Sequence, residues 1–302
     1  MSLRRCCFIL LLFWSAALTC ATAVAAQVTV VNNCSYTVYP GILPATYANG
    51  GWQMAPGTRV SFTLGSDWIG RIWGRTGCDD SSPAICATGQ CGGVGLQCAG
   101  TSGQAGTSLA EFNVGATGVV DWYDVSYVDG FDNPIGISAS NPSCATVNAC
   151  SSAPRNQCSP ELQASGACLS PCTKFNTDQF CCRGAYGLAS TCSVANWPVA
   201  EQSYVNNIHN ACSGDYAYAY DDASSLHSCP SGSGSNYTVT FCPNGTYSAG
   251  APSDAAASSN ASGSNNDNNS GNSGGTGSFE CITLLALSGL ALLRLFRAVP
   301  WS

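Results

Sequence analysis

The chain of 302 residues has a formal net charge of −7, only 9% charged residues and twenty cysteines. From Gln27 to Cys242 six basic side chains (Arg59, Arg71, Arg75, Arg155, Lys174, Arg183) stand against fourteen acidic ones. That balance argues against nucleic acid and against an anionic membrane as partners of the folded part, and leaves neutral ligands such as sugars open.

At the amino terminus Arg4 and Arg5 precede an apolar run from Phe8 to Leu18, followed by Ala23, Val24, Ala25 and Ala26. Charged, apolar and small segments in that order read as a secretory signal cleaved after Ala26, and the run is shorter than the about 20 residues a spanning helix needs. Cleavage removes Cys6, Cys7 and Cys20 and leaves sixteen cysteines from Cys34 to Cys242. An even number in an oxidising compartment permits eight bridges, drawn from about two million pairings. Zinc would want C-x2-C pairs with histidines nearby; the chain has only His209 and His227, so neither metal nor cofactor is expected.

Short β-branched or aromatic runs bounded by Gly, Pro, Asn or Ser predict strands over Val28 to Val31, Tyr36 to Tyr39, Val60 to Leu64, Arg71 to Trp73, Leu109 to Val114, Val119 to Val128 and Tyr237 to Phe241. A weak helical periodicity runs from Glu201 to Cys212. The class is therefore mainly β, a sandwich or barrel, with a loop-rich, bridge-held region between Cys144 and Cys229.

Residues 244–278 are Ser, Asn, Gly and Ala with little to bury, which predicts a disordered spacer. Asn236, Asn244, Asn260 and Asn268 open glycosylation sequons, the first beside a strand where burial would block it. In the tail, 279–302, the apolar run Ile282 to Leu293 is too short to cross a bilayer alone as a straight helix. Small residues at Asn269, Ser270 and Gly271 fit a glycolipid-anchor signal, whereas Arg294 and Arg297 depart from one. A short single-pass anchor and a cleaved propeptide remain the other readings.

From Gly70 to Cys78 the chain reads G-R-I-W-G-R-T-G-C, and from Cys86 to Cys98 C-A-T-G-Q-C-G-G-V-G-L-Q-C. It continues with N-N-C-S-Y-T-V at Asn32, S-L-A-E-F at Ser108, D-W-Y-D-V-S-Y-V-D-G-F-D-N-P at Asp121, C-C at Cys181, A-Y-D-D at Ala219 and Y-T-V-T-F-C-P at Tyr237. Over residues 27–243 it resembles the thaumatin-like proteins, pathogenesis-related group five. The resemblance implies a thaumatin-like β-sandwich with two smaller disulfide-rich lobes and an acidic interdomain cleft. It also implies the bridges Cys34 to Cys242, Cys78 to Cys86, Cys91 to Cys98, Cys144 to Cys229, Cys150 to Cys212, Cys158 to Cys168, Cys172 to Cys181 and Cys182 to Cys192. Two departures are Gln90, where the family has aspartate, and the spacing from Arg183 to Ala211.

The family's five cleft residues match Arg71, Glu111, Asp124, Asp129 and Asp222. Carboxylates converging on one groove repel, which raises pKa values and attracts polyhydroxylated ligands. Glycosidic cleavage needs one carboxylic acid and one carboxylate, here Glu111 as acid and Asp124 as its partner; a separation of about 5 Å would give retention and about 6.5 to 9.5 Å inversion. The alternative is a structural network without turnover. Trp73, Trp122, Tyr123, Tyr216, Tyr218 and Tyr220 neighbour the acidic positions in sequence and are candidates for stacking on sugar rings, though strand alternation puts Trp122 and Tyr123 on opposite faces. The same alternation sets Asp121 and Asp129 on one face and Asp124 on the other unless a bulge intervenes. His209 and His227 lack a nucleophile context for a serine-type triad. The resemblance implies a monomeric, secreted cell-wall protein of defence that binds β-1,3-glucan, at most a weak endo-β-1,3-glucanase, with tethering at the membrane outer face if the tail anchors it. A protein-binding module, such as a hydrolase inhibitor or surface recognition protein, is the alternative.

Overall fold

The computed structural model describes residues 26–115, 120–147, 150, 154–164, 166–230 and 234–245; the tail, most of the spacer and signal, Asn260 and Asn268 lie outside them. The strands are β1 (Gln27–Asn32), β2 (Tyr39–Leu43), β3 (Arg59–Thr63), β4 (Ile69–Arg75), β5 (Leu109–Asn113), β6 (Val120–Ser126), β7 (Gly130–Phe131), β8 (Ile135–Ala139), β9 (Gln163–Ala164), β10 (Ala167–Leu169), β11 (His227–Pro230) and β12 (Tyr237–Phe241). Helices are short apart from α2: α1 (Pro171–Phe175), α2 (Val199–Ala211) and α3 (Asp222–Ser225). No helix of the described residues is long and apolar enough to cross a membrane.

Two sheets face each other, ordered β3-β1-β12-β8 and β11-β6-β5-β4-β2. In β1 and β12 alternate residues turn inward, as a strand with one wet face requires, so Val28, Val30, Tyr237, Val239 and Phe241 enter the core. They meet Ile42, Ile72, Phe112, Tyr123 and Val125 from the second sheet, with Phe112 and Tyr237 edge to face at 5.4 Å. Every pairing in the five-stranded sheet is antiparallel, whereas β1 and β12, the first and last strands, pair in parallel.

Among the described residues eight disulfides are formed: Cys34–Cys242, Cys78–Cys86, Cys91–Cys98, Cys144–Cys229, Cys150–Cys212, Cys158–Cys168, Cys172–Cys181 and Cys182–Cys192. Cys34 lies two residues past β1 and Cys242 directly after β12, so one bridge clamps the parallel pair at its shared end. One lobe, residues 76–107, lies on the outer face of the five-stranded sheet, where Trp73, Leu109 and the Cys91–Cys98 bridge make a second, smaller core. Buried Arg75 holds it there by donating to the carbonyls of Tyr39, Pro40 and Leu96. The other lobe carries α1, α2 and the small sheet β7-β10-β9; α2 turns Tyr204, Val205, Ile208 and Ala211 inward, and its Tyr204 hydroxyl donates to the Tyr127 carbonyl.

Three differences from the sequence reading have local causes. The expected strand Tyr36 to Tyr39 forms later, because the carbonyl of Tyr36 is taken by the Asn32 side chain and Val38 makes an isolated bridge to Met54. The strand expected through Val128 ends at Ser126, since the Tyr127 amide donates to the Tyr216 carbonyl and leaves the ladder. Asn236 is exposed, its Oδ1 accepting from the Gln27 amide, and Asn244 is exposed as well.

The Cys34–Cys242 bridge closes 208 residues and Cys91–Cys98 closes 7, so loop entropy ranks them at about 5 against about 2.4 kcal/mol. Urea unfolding of the two Cys→Ser pair variants should show the larger loss for Cys34/Cys242, and equal losses would contradict this ranking.

Candidate functional site: an acidic row across three strands

The site follows from strand register. Arg71 pairs with Glu111 between β4 and β5, and Glu111 pairs with Asp124 between β5 and β6. The three therefore form one rung on the outer face of the sheet, with directly opposed Cβ atoms about 5 Å apart. Their sequence neighbours Ile72, Ala110, Phe112, Tyr123 and Val125 point the other way and are fully or almost fully buried in the sandwich. Arg71 and Asp124 are buried and Glu111 is half-buried.

Each end of the row is fastened to a lobe. Nη2 of Arg71 donates to Ser102 Oγ at 2.6 Å, in the first lobe. Beyond Asp124, the segment from Asp215 runs beside β6: Ser126 and Tyr216 form a parallel bridge, and the Tyr216 amide donates to the Val125 carbonyl at 2.9 Å. Asp222, exposed at the start of α3, accepts from the Tyr216 hydroxyl at 2.8 Å. Asp129 lies in the bend after β6, outside strand alternation, and its carbonyl accepts from Thr173 Oγ1 at 2.7 Å. That bend lets Asp129 interact electrostatically with Arg71 and Glu111, although alternation alone set it with Asp121. Asp121 itself is buried and accepts from the Gly115 amide and the Tyr237 hydroxyl.

Burial and mutual repulsion raise the carboxyls. Glu111 is pushed up to about 7, first by burial and then by Asp129, against the opposing pull of Arg71 and a hydrogen bond from Ser126. Asp124 is held well above the ordinary carboxylate range by burial and by Glu111, Asp215 and Asp222. Burial raises Asp129 too, with Arg71 opposing. One guanidinium thus serves a group of mutually repelling acids, and its influence falls on Glu111 and Asp129 rather than on Asp124.

The aromatic candidates separate by burial. Trp73 is completely buried: its ring lies so close to Gly41 that a Cβ there would come within 2.3 Å, and its Nε1 donates to the Gly89 carbonyl. It is a core residue, not a platform. Tyr123 is buried in the sandwich, donating to the Ala145 carbonyl, and Tyr216 is buried and tied to Asp222. Half-buried Trp122 shares the face of Asp124; half-buried Tyr218 stands edge-on to Trp197, and half-buried Tyr220 donates to the Gly187 carbonyl. These contacts bring the unusually spaced stretch after Arg183 against the Tyr216 to Asp222 segment.

His209 pairs with buried Asp221 at 2.9 Å, and Asp221 also accepts from the amides of Ala217 and Tyr218, which holds that segment in shape. His227 faces the Gly214 carbonyl and the Tyr123 ring. At Gln90 the loop is held through the main chain, the Gln104 amide donating to the Gln90 carbonyl. Among the described residues the one convergent set of potential metal ligands is Cys150, Cys212 and Asp215, and both cysteines are spent in a disulfide. Asp215 is the member of the acidic neighbourhood that sequence reasoning missed; a lone Asp between Gly214 and Tyr216 gives no sign that tertiary packing will bury it.

A profile of the thaumatin family matches residues 32–243. The chain belongs to the thaumatin family. It is 42% identical over 228 residues to pathogenesis-related thaumatin-like protein 3.5 of Cryptomeria japonica, covering 71% of this chain and 89% of that one. A glucan endo-1,3-beta-glucosidase of Prunus avium is 38% identical over 235 residues, covering 72% and 91%. Among solved structures, the thaumatin-like xylanase inhibitor TLXI aligns at a TM-score of 0.41 and 22% identity, over 72% of this chain and all of that one. The mainly β, disulfide-rich fold described above is that of the thaumatin family.

The raised acids make the folded protein bind more protons than the unfolded chain. Glu111 (about 7), Asp132 (buried, about 6) and Asp215 (buried, about 8), with Asp124 and Asp129, titrate near 4 when unfolded. For Glu111, Asp132 and Asp215 the stabilising protonation is complete below about 4 and is lost as pH rises through about 6 to 8, and raised Asp124 and Asp129 act in the same direction. His209, raised by its hydrogen bond to Asp221, acts in the same direction. Melting of residues 27–243 should therefore occur several degrees higher at pH 5 than at pH 8, at about 2 to 4 °C per kcal/mol. A higher melting temperature at pH 8 would contradict the electrostatic picture.

Proposed function

We propose that this thaumatin-family chain is a secreted defence protein whose acidic row binds β-1,3-glucan and hydrolyses it slowly. The in-register row Arg71–Glu111–Asp124, on a sheet face flanked by two bridge-held lobes, carries this reading. Neutral, hydroxyl-rich chains suit such a face, because hydroxyls donate to carboxylates and accept from protonated acids without adding charge. The relatives named for pathogenesis and for endo-1,3-beta-glucosidase activity support the substrate class.

The surroundings favour a division of roles opposite to the one suggested by sequence. Asp124 is the more firmly protonated, with carboxyls on several sides, so it would give its proton to the leaving glycosidic oxygen. Glu111 stands beside Arg71, which favours its ionised form, so its carboxylate would attack the anomeric carbon; water then releases the sugar as Asp124 takes a proton back. Opposed cross-strand residues suit the short carboxyl separation, about 5 Å, of retaining hydrolysis. Trp122 and Tyr218 offer half-buried rings for stacking.

Laminarin binding should weaken at least about tenfold in folded Glu111→Ala and Asp124→Ala proteins, and reducing-sugar release should fall at least about a hundredfold in Asp124→Asn and Glu111→Gln. Unchanged binding in both alanine variants would remove the cleft assignment. Retained binding without measurable sugar release by the parent protein would leave a binding protein and remove the hydrolytic step.

A further inference from the structure

The wall of the cleft beyond Asp124 hangs on one oxygen. Oδ2 of buried Asp221 accepts from the Ala217 amide at 2.8 Å and the Tyr218 amide at 3.1 Å, and lies 2.9 Å from Nε2 of His209 in the last turn of α2. The Asp221 carbonyl meanwhile accepts from the Ser224 and Ser225 amides and from Ser224 Oγ, at the start of α3. One residue therefore fixes both the turn that presents the Tyr218 ring and the helix start that presents Asp222, whose carboxyl accepts from the Tyr216 hydroxyl.

The three partners of that oxygen differ in kind. Two are main-chain amides, which keep their protons; the third is an imidazole, which changes charge near neutrality. The Asp221 side chain is only 7% exposed, so its charge needs donors, whereas the His209 side chain is 40% exposed and exchanges its proton with water. A protonated His209 makes the contact a charge-assisted bond, about twice as strong as a neutral one, and a neutral ring can still donate from Nε2 without the charge. The position favours the cation: carbonyl ends gather at the last turn of α2, and the hydrogen bond to Asp221 raises the imidazole above its ordinary value against the effect of partial burial. The charged group facing His209 is Asp221. The other titratable groups of α2, Glu201 and Tyr204, are turned into the protein; of the turns that pack on the helix, 194–196 carries no titratable side chain and 154–157 carries Arg155. On the wall itself, Asp222 turns to Tyr216, the Tyr220 hydroxyl donates to the Gly187 carbonyl, and Asp215 is buried beside the Cys150–Cys212 bridge.

We propose that His209 is a positioning residue of the ligand site: as an imidazolium it pins Asp221, and through Asp221 it sets Tyr218 and Asp222 to receive a hydroxyl-rich chain in acid, and the wall slackens once the ring is neutral. Its purpose rests on the cleft being the glucan site, whereas the clamp is a property of the free protein. His209 itself touches no ligand. Because the ring holds its proton more tightly in the folded protein, the clamp is complete below about 6.5 and is lost as pH rises through the higher folded midpoint.

NMR titration of the free protein from pH 5 to pH 9 follows the His209 ring and the Ala217 and Tyr218 amides together. All three should move with one midpoint, and the step should vanish from the two amides in His209→Lys, a cation throughout that range. Laminarin affinity of His209→Lys should match the parent at pH 5 and exceed it at least about threefold at pH 8.5. His209→Gln, neutral throughout, should bind more weakly than the parent at pH 5 by a similar factor, and serves if the lysine variant does not fold. Ala217 and Tyr218 amides that do not follow the ring overturn the proposal. So does an affinity ratio between His209→Lys and the parent that stays constant across pH, which makes His209 a structural residue only. Amides that follow the ring in a protein without affinity for laminarin keep the clamp and remove the glucan reading.

Discussion

Three neighbouring strands set a guanidinium and two carboxyls side by side on one sheet face, and the rest of the molecule is arranged so that this costly rung persists. Two unit charges about 5 Å apart repel by about 3 kcal/mol at an effective dielectric of about 20, so Glu111 and Asp124 ionised together would push β5 and β6 apart. The fold answers in three ways. Arg71 stands on the far side of Glu111, burial keeps protons on the acids, and the antiparallel ladder gives neither strand freedom to slip.

The disulfides fit this need. A row built on central strands is already rigid, whereas its walls are loops with little apolar area of their own. The bridges Cys78–Cys86 and Cys91–Cys98 hold the lobe that supplies Ser102 to Arg71, and Cys150–Cys212 fixes the start of the segment bearing Asp215, Tyr216 and Asp222. Asp221 finishes that segment by collecting two amides and His209. Site geometry and covalent framework are thus one structure: reduction would loosen the walls while leaving the sandwich core, built from Val28, Val30, Phe112, Tyr237 and Phe241, a reason to hold together.

Local pattern made part of this legible. Alternation in β1, β5, β6 and β12 announced the strands, and it correctly parted Tyr123 from Trp122 and Asp121 from Asp124. What it could not supply was pairing. β8, with Gly136 and Ser138, and β11, with His227 and Pro230, look like loop in isolation and become strands because β12 and β6 offer partners. Trp73 reads as a platform candidate from its sequence neighbours alone, and it is core because the distant glycines at 41 and 103 admit its ring. The five candidate residues were nameable from the family motifs, whereas what sets Arg71, Glu111 and Asp124 side by side, their register, and what brings Asp129 within electrostatic reach of Arg71 and Glu111, the bend after β6, is tertiary. Asp215 carried no motif, and its burial is decided by residues far from it in sequence.

The central claim is that this row is where the protein meets its ligand. The most direct test is an amide NMR titration of residues 27–243 with a β-1,3-linked glucan oligosaccharide at pH 5. The account predicts that shift changes concentrate at Arg71, Glu111, Asp124, Asp129 and the Tyr216 to Asp222 segment and vanish in Asp124→Ala. Changes centred elsewhere, or persisting undiminished in that variant, would contradict it.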